Sequence, residues 1–255
     1  PYTDPKIERL ERAKIEKVIN RGYVKRVSPE LILSLMHFFS VMKGEVDIRM
    51  VYDGSKSGLN AALWAPWFAL PTVESHLRVI NPGTFMGDID IGEMFLNFIL
   101  HRDLRALAGV DLSHYFEGEK EGPLWESWQQ AAMGLRSSPY QCVQAMGIAE
   151  EVIQGDHMDP TNVFRWDRVE LNLPGSDLYD PSRPWVAKYQ TEDGHIASDL
   201  FIFVDDLRPT GPSKEEAWLA ARKAARTLNH LGIQDAPRKR RYSSQSPGAE
   251  TGGVI

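Results

Sequence analysis

Apolar residues recur along this chain with two different periods. Pro5 to Asn20 sets Ile7, Leu10 and Ile15 among charged neighbours, the spacing of an amphipathic surface helix with those three turned inward. Ser28-Pro29-Glu30 opens a second apolar stretch. Phe85 to Ile91 reads as a short strand ending in acid, and Gly92 to Leu100 changes to helical apolar spacing. Ser138-Pro139-Tyr140-Gln141 has the chemistry of a helix start, with Ser as N-cap, Pro in the first turn and Gln at the capping-box position; the helix should run to Ile153. Between Gly155 and Ser198 the chain turns polar and rich in Pro and Asp, with a hairpin expected at Asp193-Gly194. Leu200 to Val204 is a continuous apolar run that breaks into loop chemistry at Leu207-Arg208-Pro209. Ser213-Lys-Glu-Glu216 is a second capping box, ahead of Trp218, Ala221, Ala225 and Leu228 on one helix face.

With 255 residues, 42% of them apolar, the chain can bury a large core in two subdomains. The single Cys142 excludes an internal disulfide framework and reads as a buried small hydrophobe. No stretch approaches the roughly 20 apolar residues that span a bilayer, and Pro1-Tyr-Thr-Asp-Pro5 is no secretory signal. An intracellular setting is therefore expected, and the missing initiator Met suggests a fragment. The aromatic segment Leu63 to Phe68 is expected to pack as loop against core, while His157 beside Asp156 and Asp159 reads as an exposed turn.

Asp205 and Asp206 directly follow the apolar run ending at Val204, and unpaired carboxylates at the tip of such a strand are costly unless a cation neutralises them. The Phe85 to Ile91 strand ends in Asp90, so the fold can bring two acid-tipped strands together. Three carboxylates from neighbouring strands suit a pair of Mg²⁺ ions that clamp the attacking and leaving oxygens of a phosphoryl transfer. Asp88 competes with Asp90 as the first acid.

At these residues the chain resembles the reverse transcriptases of retroelements. Asp90-Ile-Gly-Glu-Met-Phe95 is similar to their first palm motif, Phe203-Val-Asp-Asp206 to their Tyr/Phe-x-Asp-Asp turn, and Gly134-Leu-Arg-Ser-Ser138-Pro139 to their Gly-x-x-x-Ser-Pro motif. Val41 to Asp53, then Leu59-Asn60, resembles the fingers hairpin. Leu231-Gly232-Ile233, then Pro237-Arg-Lys239-Arg, resembles the Gly-then-Lys motif after the palm helix. Ser246 to Gly253 sits where the primer grip begins. The order of all six matches the family.

The resemblance implies an α+β fold: right-hand polymerase fingers and palm, an antiparallel palm sheet packed on helices, and a thumb absent or truncated. It places a fingers-like part in residues 1–80, palm with fingers elements in 81–242 with a family-variable insertion at about 155–198, and the truncated start of the primer grip in 243–255. It implies that Asp90, Asp205 and Asp206, with the Ile91 carbonyl, hold two Mg²⁺ ions, Mn²⁺ being an alternative. Lys43 and Arg49 would hold the triphosphate, and Lys239 would act as general acid toward pyrophosphate, the other reading of Lys239 being a solvated basic cluster with Arg238, Arg240 and Arg241. Phe95 would exclude a 2′-hydroxyl and so select dNTPs; Gly134, Ser138 and Pro139 would lie under template and nucleotide; Phe203 would pack beside the primer terminus. Met133 stands where Gln is commoner and cannot make the same hydrogen bond. The implied partners are an RNA or DNA template, a nucleic-acid primer and dNTPs, with no membrane. The expected activity is RNA-directed DNA polymerisation; the alternatives are an inert reverse-transcriptase-like scaffold that binds nucleic acid, and another two-metal palm enzyme such as a nucleotide cyclase.

Charge works against easy nucleic-acid binding, because affinity for phosphates comes from Lys and Arg and the formal charge is −6. Basic clusters stand at Arg21 to Arg26, Arg102 to Arg105 and Arg238 to Arg241, and Glu117-Gly-Glu119-Lys-Glu121 reads as a solvated acidic loop. The charge should be polarised, and binding by this segment alone weak.

Overall fold

The structure, a computed structural model, describes residues 4–119, 122–234 and 236, and the backbone of 241–242, 249–250 and 253–254. In chain order the elements are α1 (Pro5–Asn20), β1 (Val24–Arg26), β2 (His37–Lys43), β3 (Asp47–Asp53), α2 (Leu59–Ala62), α3 (Val73–Leu77), β4 (Phe85–Asp90), α4 (Arg102–Arg105), β5 (Gly109–Asp111) and β6 (Trp125–Trp128). They continue with α5 (Ser138–Gln154), β7 (Arg168–Leu171), β8 (Val186–Tyr189), β9 (Asp199–Phe203), β10 (Asp206–Gly211), α6 (Lys214–His230), β11 (Arg241–Tyr242), β12 (Ala249–Glu250) and β13 (Gly253–Val254). This is a mixed α+β fold with small antiparallel sheets. It divides into two compact units, residues 1–67 with 95–142 and residues 68–94 with 143–255.

The first unit has a three-stranded sheet in the order β1-β6-β5 and the hairpin β2-β3. Helix α1 starts where Asp4 accepts from the Lys6 N–H at 2.8 Å and Pro5 presets the first turn. Ile15 is its one buried residue, with Ile7 and Leu10 half-buried beside it, as the periodicity predicts. The core gathers Ile15, Tyr23, Leu100, Val110, Leu124 and Trp128. Each such side chain, taken fully out of water, stabilises by about 1.5–3 kcal/mol. Tyr52 of β3 meets the Trp128 ring edge-on at 4.6 Å and stacks with Phe38 of β2 at 5.1 Å, which fixes the hairpin to this core.

Sheet order in the second unit is β11-β4-β10-β9. Helix α6 covers it through an alanine-rich face, Ala217, Ala220, Ala221, Ala224 and Ala225, which brings backbone close to backbone. A side chain on Gly211 would come within 2.5 Å of the Ala217 nitrogen, so β10 needs glycine there. The Ser213 cap forms as expected, its hydroxyl accepting from the Glu216 N–H at 3.1 Å. Trp218 departs from expectation: it is 38% exposed, its ring beneath the Arg222 guanidinium at 4.9 Å.

Four other expectations are corrected. Residues 92–100 form a single 3₁₀ turn, Met94–Asn97, in place of a helix. Glu93 takes φ +53, and residues 98–100 run extended, with the Ala131 N–H donating to the Phe98 carbonyl and the Leu100 N–H to the Gln129 carbonyl, both at 2.8 Å. Leu207-Arg208-Pro209 is strand, inside β10. Pro209 is tolerated because the β4 partners of β10 are set at 206, 207, 210 and 211, leaving the donor-less residue between them. Helix α5 begins at Ser138 itself, whose hydroxyl donates to the Ala132 carbonyl at 3.1 Å and does not cap. In the Leu63 to Phe68 segment Leu63 packs against the first unit's core and Phe68 is half-buried, but Trp64 and Trp67 are 78% and 87% exposed, and Trp64 meets the edge of the Tyr140 ring at 6.4 Å.

The 155–198 segment holds the hairpin β7-β8, and the turn expected at Asp193-Gly194 forms, Gly194 at φ +69 donating to the Gln190 carbonyl at 2.8 Å. His157 stacks on Trp166 at 4.0 Å and is half-buried; among the described residues it belongs to no metal-binding group. Cys142 is fully buried, and burial pushes its thiol up to about 12.

Candidate active site

In the second unit β9 and β10 form a hairpin in which Phe203 faces Asp206, leaving Val204 and Asp205 as a two-residue turn. Val204 has φ +54. Positive φ at the first turn position matches a type II′ turn, where glycine is usual; a β-branched residue there is strained by about 1–3 kcal/mol. On its other side Asp206 faces Asp90 of β4. Side chains directly opposite in an antiparallel pair have Cβ atoms about 4.5–5.5 Å apart, so these two carboxylates are neighbours.

Backbone bonds fix the acid tips. The Ile91 N–H donates to the Asp205 carbonyl at 2.8 Å, the Ala236 N–H to the Asp90 carbonyl at 2.8 Å, and the Gly92 N–H to the Gln234 carbonyl at 2.9 Å. Asp88 has a different occupation. Its Oδ1 accepts from Arg208 Nη2 at 2.8 Å and Nε at 3.1 Å, and the Arg208 side chain is only 3% exposed. Breaking this pair would strand the buried Arg208 cation, and it is the register that sets Asp90 opposite Asp206, beside the turn.

The donors Asp90, Asp205, Asp206 and the Ile91 carbonyl are all hard oxygens, the chemistry Mg²⁺ takes. Backbone register brings two strand tips and one turn together, and the fit to a divalent cation rests on that placement. Among the described residues no three His, Cys, Asp or Glu side chains stand gathered as a metal-holding group. Beside β9, Lys188 Nζ pairs with Asp199 at 3.0 Å, and Glu150 is held above the usual carboxylate range by burial and by the Asp199 charge.

Lys239 apart, the other predicted residues belong to the first unit. Lys43 and Arg49 are exposed, and the register pairs Lys43 with Asp47 and Val41 with Arg49, placing both cations diagonally on one face of the hairpin. Lys14 meets Asp47 at 3.1 Å; the Ile48 N–H and Lys14 hold that carboxyl below its ordinary range. Asn60 clamps the Gly134 loop: its Nδ2 donates to the Gly134 carbonyl at 2.8 Å and its Oδ1 accepts from the Arg136 N–H at 2.9 Å. A side chain on Gly134, at φ +105, would fall 1.6 Å from the Tyr52 carbonyl oxygen. Only glycine allows loop and hairpin this close. Met133 is exposed, Pro139 lies in the first turn of α5, and Phe95 is half-buried in the 3₁₀ turn.

Lys239, with Pro237 to Arg240 and Ser246 to Gly248, lies outside the described residues. The sequence reading missed the Asp88–Arg208 pair and the strained Val204. The cue for the pair was the i, i+2 spacing of Asp88 and Asp90 with Arg208 two residues past Asp206.

No protein-family model matches the chain, and no curated protein matches it either. Among solved structures it is similar to the foamy viral protease–reverse transcriptase in complex with double-stranded DNA, with a TM-score of 0.62 and 13% identity. The match covers 100% of this chain and 36% of that one, so the chain spans about a third of that protein's length. At this identity the likeness is one of fold. Among the described residues no helix is long and apolar enough to cross a membrane.

Proposed function

We propose that this chain is the fingers-and-palm part of an RNA-directed DNA polymerase, acting inside the cell and adding dNTPs to a primer 3′-hydroxyl. The observation that carries the reading is the pairing of Asp206 with Asp90 beside the strained turn that presents Asp205. The fold it shares with a DNA-bound reverse transcriptase supports it. In this reading residues 1–80 are fingers, 81–242 palm with fingers elements, and 243–255 the start of the primer grip.

Asp90, Asp205 and Asp206, with the Ile91 carbonyl, would hold two Mg²⁺ ions or Mn²⁺, whose chemistry is to acidify the primer hydroxyl and offset charge on the departing pyrophosphate. Lys43 and Arg49 bind the triphosphate, and Lys239 gives the leaving group its proton. Phe95 sets its ring beneath the sugar and excludes a 2′-hydroxyl. Phe203 supports the primer terminus. Gly134, Ser138 and Pro139 hold the surface under template and nucleotide, and Met133 contacts the nucleotide without a hydrogen bond.

Primer extension on an RNA template with dNTPs and Mg²⁺ tests this. Extension by the wild type, lost in Asp205→Asn while primer–template still binds, is the expected result. Binding without extension in the wild type would move the assignment to a nucleic-acid-binding scaffold.

A further inference from the structure

The hairpin β7-β8 stands as a two-stranded sheet, and such a sheet alone is marginal in water. The Asn172 N–H donates to the Trp185 carbonyl at 2.8 Å, continuing the register in which Leu171 faces Val186. Antiparallel N–H groups alternate in direction, so Arg168 and Glu170 face β8 with their backbone while Val169 and Leu171 aim N–H and C=O at the open edge. Their side chains are exposed as well: Val169 by 44%, Leu171 by 64% and the following Leu173 by 46%. An edge that offers both backbone groups and apolar side chains is a template for another strand.

The geometry points to a second copy of this chain as that strand, β7 pairing antiparallel with its twin across a twofold axis centred on Val169. The charges select this register. Centred on Val169, it sets Arg168 of each copy opposite Glu170 of the other; within one copy Glu170 already meets Arg168 at 3.4 Å and Arg183 at 2.8 Å, and with Arg168 and Glu170 51% and 40% exposed the twin strand would extend this ion-pair row. A pairing centred on Glu170 would oppose two like charges. One centred on Leu171 would need the Leu173 carbonyl, which already accepts from the Ser176 N–H at 3.1 Å. Pro174 then ends the edge. Asn172 ties the neighbouring loop to the strand end, its Nδ2 donating to the Asp180 carbonyl at 2.7 Å and the Arg183 carbonyl at 3.0 Å. The surface is self-complementary, as a twofold interface requires. It stands apart from the acid-tipped strands and does not depend on the polymerase reading.

The test uses the full chain. Sedimentation from micromolar to millimolar protein is expected to show a monomer–dimer equilibrium that Val169→Lys weakens at least tenfold and Val169→Thr retains. Because Cys142 is buried, Val169→Cys supplies an accessible thiol at the dyad, where paired Cα atoms lie about 5.5 Å apart, within disulfide reach. Under mild oxidation Val169→Cys is expected to cross-link to dimer, while Leu178→Cys, on a 91% exposed residue off the edge, does not. A chain that stays monomeric throughout, a dimer indifferent to Val169→Lys, or equal cross-linking by both cysteine variants would each overturn the proposal.

Discussion

Val204 concentrates the energetics of the candidate site in one torsion. A valine at φ +54 is held there by the Phe203–Asp206 closing pair and by the Ile91 bond to the neighbouring Asp205 carbonyl. Val204→Gly is expected to raise stability by about 1 kcal/mol in urea unfolding, since glycine takes positive φ without strain and loses part of the gain through its freer unfolded chain. A fall in the unfolding midpoint would show that the turn is not strained. Glu150 is a second locus. Its folded-state pKa is raised, so the folded protein holds the proton more tightly than the unfolded chain, and the associated stability is present below the ordinary glutamate pKa and lost as pH rises through the raised value. Glu150→Gln should therefore raise the melting temperature at neutral pH and leave it unchanged in acid; a pH-independent difference would refute this assignment.

At the scale of elements, the Gly134 loop and the β2-β3 hairpin form one fixed piece, joined by the Asn60 clamp and by a backbone approach that excludes even a methyl group. Gly134→Ala is expected to destabilise the chain by more than about 1 kcal/mol, read from chemical denaturation, because it adds both a clash and a forbidden φ. Elements with strong local chemistry were legible in the sequence. Helix α1 over Pro5–Asn20, the Ser213 capping box and the acid-tipped strands all stand where the residue pattern put them. What failed depended on distant partners. Residues 92–100 have helical spacing, yet residues 98–100 pair with 129–131; Pro209 reads as a breaker until neighbouring strands hold it in a sheet. At the candidate site the spacing of Asp90, Asp205 and Asp206 was readable, whereas the Asp88–Arg208 pair joins residues 120 apart and was signalled only by the two-residue offsets of Asp88 from Asp90 and of Arg208 from Asp206.

For the whole molecule, a net charge of −6 limits how many phosphates it can neutralise. In the polymerase reading, affinity for primer–template should fall only shallowly with salt, the slope being about −0.9 for each phosphate contacted on duplex DNA. Lys25 and Arg26 are exposed on β1. Titration across salt is expected to show a slope reduced by about 0.9 for each of the two that touches a phosphate when it becomes alanine; an unchanged slope would remove this cluster from the binding surface. The chain passes between its two units at 67/68, 94/95 and 142/143, so neither unit is a continuous stretch of sequence.

That weaving governs how the protein is made. β4 lies between β10 and β11, and Asp206, the partner of Asp90, is over a hundred residues further along. On a ribosome adding about 5–20 residues per second, β4 emerges on the order of ten seconds before either neighbour exists. Through that interval Asp88 and Asp90 keep charge on an otherwise apolar orphan strand, which disfavours its capture by another nascent chain.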